Sequence, residues 1–129
     1  MSTYAITETS TRAAALLRAA ANRITAYGLY RGEYWPVIPG GESSAYIEGD
    51  PCCALGALAV AARYDEVLLA DAAIDTHPDL VAAVDAVAHR VGELAGWNDS
   101  PVRIAAEVTS VLRAAATDIT DRHNAGGPR

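Results

Sequence analysis

Apolar residues recur at intervals of three and four along most of the chain, the period of helices that bury one face. The first run is Ala13, Leu16, Leu17, Ala20, Ile24 and Tyr27, with Arg12, Arg18, Asn22 and Arg23 largely on the other faces. Thr9 or Ser10 can cap this helix, which leaves residues 1–8 as an expected loose arm. Gly28 suits the left-handed position that closes a helix. A second segment, 51–64, is apolar nearly all round: Cys53, Ala54, Leu55, Ala57, Leu58, Val60 and Ala61. A helix without a polar face belongs at the buried centre of a bundle. Asp50-Pro51 marks its start, because Asp caps free backbone N–H groups and Pro suits the first helical position.

Residues 65–75 are expected as a short helix or an irregular turn. Thr76 and Asp79 have the spacing of a capping box around Pro78, so a third helix is expected over 77–94. Leu80, Val84, Val87, Val91 and Leu94 form its buried stripe, and Gly96 is read as its stop. Trp97-Asn98-Asp99-Ser100-Pro101 reads as a turn into a last helix that runs to about Asp121. Val102, Ala105, Val108, Val111, Leu112, Ala115 and Ile119 are its inward positions, and 124–129 is expected as a disordered tail. The pattern predicts an all-α fold, a bundle of four main helices.

The stretch 29–50 breaks that pattern with two prolines and several glycines. Residues 27–46 hold five of the eight aromatic residues, which argues against a disordered linker. A long aromatic loop folded over the bundle is expected. Residues 37–38 and 46–47 can pair as a short hairpin around Pro39-Gly40-Gly41.

Composition narrows the function. A chain of 129 residues fits one domain with a core of its own. The formal charge is −6, Lys is absent, and the Arg residues are scattered singly. That balance disfavours nucleic acid and anionic membrane as partners. There is no apolar run of about 18 residues and no basic-then-apolar leader. Cys52 and Cys53 are neighbours, ~3.8 Å apart at Cα, too close for a relaxed disulfide. A reducing cytoplasm is the simpler expectation.

Several residues are candidates for chemistry. Cys52 and Cys53 are expected in the first turn of the 51–64 helix, where the dipole lowers a thiol pKa. His89 is the one well-placed base for such a nucleophile, with Asn98 or Asp99 to orient it. The plainer reading, favoured here, makes both cysteines small hydrophobes in a tight helix contact. His77, His89 and His123 with the cysteines match no zinc spacing, so no metal and no cofactor are expected. Arg31, Tyr34 and Trp35, on the glycine-punctuated stretch 31–36, suit either a small-molecule pocket or a lid over the core. Trp97, Asn98 and Asp99 have a structural default: capping the last helix and packing the turn.

Three stretches together carry a resemblance. They are Leu16-Leu17-Arg18-Ala19-Ala20-Ala21-Asn22-Arg23-Ile24 with Arg31-Gly32; Pro51-Cys52-Cys53-Ala54-Leu55-Gly56-Ala57-Leu58; and Trp97-Asn98-Asp99-Ser100-Pro101 with Arg103, Glu107-Val108 and Leu112. Over residues 10–116 the chain resembles a widespread family of small uncharacterised proteins of actinobacteria, other bacteria and their phages. That family is marked by a Cys-Ala-x-Gly-Ala segment and a later Trp-Asn-Asp segment. The resemblance implies a fold and a cytoplasmic location but no activity. It makes Cys53 the family's cysteine and Cys52 an extra one. Ile104 stands where the family often has Thr, which leaves the start of the last helix to Asp99 or Ser100.

The favoured expectation is a non-enzymatic domain that binds an unknown small molecule or protein. Its site is expected where the 29–48 loop, the Cys52–Cys53 helix start and the Trp97-Asn98-Asp99 turn converge. The alternative is a cysteine-dependent enzyme using Cys53 with His89. A partner-binding role, as a homodimer or a phage–host accessory, is equally compatible with the first expectation.

Overall fold

The computed structural model describes the backbone of residues 2–37 and 45–125, and the side chains of 8–37 and 45–121. The described residues form six helices: α1 (Ser2–Tyr27), α2 (Ala54–Ala61), α3 (Val67–Thr76), α4 (Pro78–Val91), α5 (Leu94–Asp99) and α6 (Ala105–Ala125). The class is all-α: beside the four main helices expected, α3 takes the helical of the two readings of 65–75, and α5 is a short helix that was not expected.

The α1–α6 interface is the most extensive in the molecule, and α4 packs against both helices. Ala13, Leu17, Ala20, Ala21 and Ile24 of α1 are fully buried, as are Val108, Leu112, Ala115 and Ala116 of α6. Alanines at these positions leave little side chain between the axes, so the backbones approach closely and the leucines fill the remaining space. From α4, Leu80, Ala83, Ala86 and Val87 complete the core. Gly28, at φ +102°, closes α1 while its N–H bonds Ile24 O at 2.8 Å.

Several boundaries differ from expectation, each for a local reason. α1 begins at Ser2, not at a Thr9 or Ser10 cap. α4 ends at Gly92, at φ +82°, not at Gly96. Gly96 instead lies inside α5, where its N–H bonds the Glu93 carboxylate that caps this helix. Trp97, Asn98 and Asp99 are therefore helical residues and not a turn. Thr76 gives its hydroxyl to Ala72 O within α3 and Asp79 takes Arg12, so neither forms the expected capping box. α6 begins three residues later than Val102, which is left mostly exposed. Ile104 lacks the capping hydroxyl, yet its N–H bonds the Glu107 carboxylate, so the second half of a capping box is present.

The most consequential difference concerns the central segment. α2 starts at Ala54, and residues 51–53 are not helical. Leu29 and Cys52 form a parallel bridge, with Tyr30 N–H on Cys52 O at 2.9 Å. Cys53 N–H bonds Tyr34 O at 2.9 Å. The aromatic loop is thus zipped to the strand-like lead into α2. Close contact makes Gly56 obligatory here, because a Cβ would overlap the Tyr34 carbonyl. Trp35 is fully buried, between Tyr34 and the edge-on ring of Tyr46. α2 itself is buried along Ala54, Gly56, Ala57, Leu58 and Ala59, as expected of an interior helix.

Of the expected hairpin, Ile38 and the turn 39–41 lie outside the described residues. The backbone around Tyr46 pairs with the lead into α3: Tyr46 N–H bonds Asp65 O at 2.7 Å, and Ala45 bridges to Glu66. Residues 124 and 125 of the expected tail are helical, and 126–129 lie outside the described residues.

Candidate functional site

Residues 32–37 of the aromatic loop, the start of α2, the start of α3 and α5 enclose a cleft of about 420 Å³. That is the size range of small-molecule pockets. Val37, Leu55, Val67 and Ala95 supply apolar walls. Cys53 and Asn98 are buried and lie at its base, whereas Glu33 and Asp99 are exposed and stand at its mouth. Tyr34 completes the lining, with its hydroxyl donated to Asp71 Oδ1 at 2.6 Å.

Cys53 is the N-cap of α2, and its Sγ accepts the Gly56 N–H at 3.2 Å. The helix start does favour a thiolate through the Gly56 and Leu55 N–H groups. Burial outweighs it, with Asp99 adding repulsion, and the thiol pKa is pushed up to about 11. Cys52 is fully buried outside the cleft, and desolvation pushes its thiol up to about 12, with the neighbouring Cys53 next in effect. The expectation of a lowered thiol pKa is therefore corrected, because desolvation exceeds the dipole. Both thiols are free.

Asn98 joins three elements through one buried amide. Its Oδ1 accepts the Ala54 N–H at 2.9 Å, which satisfies the first free donor of α2. Its Nδ2 donates to Tyr30 O at 3.2 Å and to Asp99 Oδ1 at 3.2 Å. Asp99 Oδ1 also accepts the Gly32 N–H at 2.9 Å, which holds the Glu33 stretch against α5. The pair caps α2 and anchors the loop, and does not cap the last helix as the plain reading expects.

Among the residues singled out from the sequence, Tyr34, Cys53, Asn98 and Asp99 line the cleft. Arg31 donates from Nε to Ser100 O at 3.2 Å and is not part of the lining. Trp35 belongs to the core. Trp97 stacks under the Arg103 guanidinium, 4.3 Å from the ring centroid, in a separate shallow hollow against α6. His89 stands exposed on α4, its Nδ1 2.9 Å from Asp85 O of its own helix, and is not brought to the cleft. A Cys53–His89 pair is thus not assembled, because His89 lies on the solvent face of α4. Of the apolar walls, Val67 and Ala95 carry no signal in the sequence, and Leu55 reads there only as part of an interior helix. Leu55 sits on a helix apolar all round, where a wall residue and a core residue look alike.

Among the described residues no group of three His, Cys, Asp or Glu side chains can hold a metal ion, and no helix is long and apolar enough to cross a membrane. No curated protein and no solved structure matches the chain. One family model does match, over residues 8–118, a range that includes every residue of the cleft. The chain belongs to that family, a family of unknown function designated DUF6197.

Proposed function

We propose that this protein binds a small, mainly apolar molecule in the cleft and does no chemistry on it. The observation that carries the reading is the combination of apolar walls with a few buried polar groups at the base. Val37, Leu55, Val67 and Ala95 supply area, and Asn98 and the Cys53 thiol supply orientation. A preformed pocket of this composition is the usual form of a small-molecule site. The neutral thiol supports binding over catalysis, since a nucleophilic cysteine needs its thiolate near neutral pH. Two free thiols also fit a reducing compartment, in line with a cytoplasmic protein.

The test is to fill the cleft from an exposed wall. Ala95 lies in the first turn of α5 and is exposed, so Ala95→Trp adds bulk to the cleft without disturbing the core. Thermal shift against a library of small apolar compounds, followed by native mass spectrometry, reads the result. A ligand present at ~100 times its Kd should stabilise the native chain by about 2.7 kcal/mol. Ala95→Trp should keep its own Tm and lose that response. Equal responses in both proteins would place binding elsewhere.

A further inference from the structure

We infer that the ligand of the cleft is an organic cation, an amine whose apolar body fills the walls while its ammonium group meets Glu33 and Asp99 at the mouth. The inference rests on the reading of the cleft as a small-molecule site, and it names the class of molecule that site takes.

The distribution of charge argues for it. Glu33 and Asp99 both line the cleft, and the Gly32 N–H bond to Asp99 Oδ1 brings their two segments together. Asp71 lies one hydrogen bond further out, on the Tyr34 hydroxyl. Among the described residues none of these three carboxylates has an ion pair, and Glu33 has no hydrogen bond. Four of the arginines are paired with carboxylates away from the cleft. Arg12 pairs with Asp79, Arg23 with Glu48, Arg90 with Asp118 and Arg103 with Glu107. Arg31, adjacent in sequence to the cleft loop, is turned to Ser100 O. No Arg lines the cleft.

The groups inside the cleft report the same sign of field. Burial is the main cause that raises the Cys53 thiol and the Tyr34 hydroxyl, and it penalises charge of either sign; Asp99 adds to the first, and Asp71 and Asp75 to the second. The field of those carboxylates opposes an anionic ligand at the mouth of the cleft. It favours a cation, and the apolar walls require that the cation carry hydrocarbon. An inorganic cation does not fit, because the walls offer no oxygen cage.

Hexylamine, hexan-1-ol and hexanoate share one chain length and differ in charge, so their Kd values for the native protein isolate the head group. The amine should bind about fivefold more tightly than the alcohol, the gain of a partly exposed ion pair, with hexanoate weakest. Raising the salt from low concentration to about 1 M should erase that advantage. The double variant Glu33→Gln, Asp99→Asn should bring the ratio of the amine's Kd to the alcohol's to about one, whatever it does to the two values together. Asparagine keeps an acceptor for Gly32, and Glu33→Gln alone, which breaks no hydrogen bond, gives the same test if the double variant folds poorly. An alcohol that binds as well as the amine overturns the cation while leaving the cleft as an apolar site. Binding of none of the three, or undiminished binding in Ala95→Trp, overturns the small-molecule reading and the cation with it.

Discussion

The α1–α4–α6 bundle and the aromatic cap over α2 are held together by different physics. The bundle is built from buried aliphatic side chains at helical spacing, and its polar contacts lie mostly at the surface: Arg90 with Asp118, Arg113 with Asn22 and Thr25. The cap is held by specific hydrogen bonds to backbone groups. Asn98 binds Ala54 and Tyr30, Asp99 binds Gly32, and Cys53 binds Tyr34. Burial is non-directional and spread over many residues, whereas each of these hydrogen bonds is local and cannot be shared out. The cleft lies in the second region. Global stability and site geometry should therefore respond to different substitutions.

The strongest way to break that contrast is in the bundle. Leu112 is fully buried on α6. Leu112→Ala leaves a cavity among alanines that have little side chain to move into it, at a cost of ~2–5 kcal/mol. Urea unfolding should show one cooperative transition at lower midpoint, with bundle and cap lost together. A variant that lost the cap first would place the weak link outside the α1–α6 interface.

Asn98→Ala should act on the cap. It strands the buried Ala54 N–H and the part-buried Tyr30 carbonyl, at a cost of about 1–3 kcal/mol. The loss should be concentrated at the start of α2 and in residues 28–37. Hydrogen exchange should quicken at the Ala54 amide, while Leu17 and Leu112 stay protected. Uniform acceleration across the bundle would contradict the division into two regions.

The same division explains what was legible in the sequence. The stripes of α1, α4 and α6 could be read from period alone, because each needs only its own residues to define a buried face. The all-apolar 51–64 segment likewise announced an interior helix. Its start did not: Asp50-Pro51 has the usual signature, yet the chain stays extended until Cys53 because Cys52 pairs with Leu29, over twenty residues away. Trp97, Asn98 and Asp99 looked like a turn after Gly96, but the Glu93 carboxylate caps a six-residue helix across that glycine. The residue type of Asn98 suits a cap, but its partners lie 44 and 68 residues away. The cleft was legible as a convergence of segments. Its walls were not, because Leu55, Val67 and Ala95 come from three helices whose relative placement no local pattern encodes.

The thiols give the smallest effect at neutral pH and the finest test of the cap. Folding raises both pKa values, to about 11 for Cys53 and about 12 for Cys52. An acid with a raised pKa in the folded state stays protonated there after the unfolded chain, at ~8.5, has begun to ionise. Its stabilising contribution is therefore complete below about pH 8.5 and is lost as pH climbs toward the folded-state values. Stability should be flat with respect to these groups from pH 6 to 8 and decline from about pH 9 upward. Cys53→Ser keeps an N-cap acceptor and removes one of the two ionisations, so it should make that decline shallower. Iodoacetamide should modify neither cysteine at pH 7 until urea opens the cap. Alkylation of Cys53 in the native state below pH 8 would mean that the dipole of α2 prevails over burial, and that the base of the cleft is wetter than the burial of Cys53 allows.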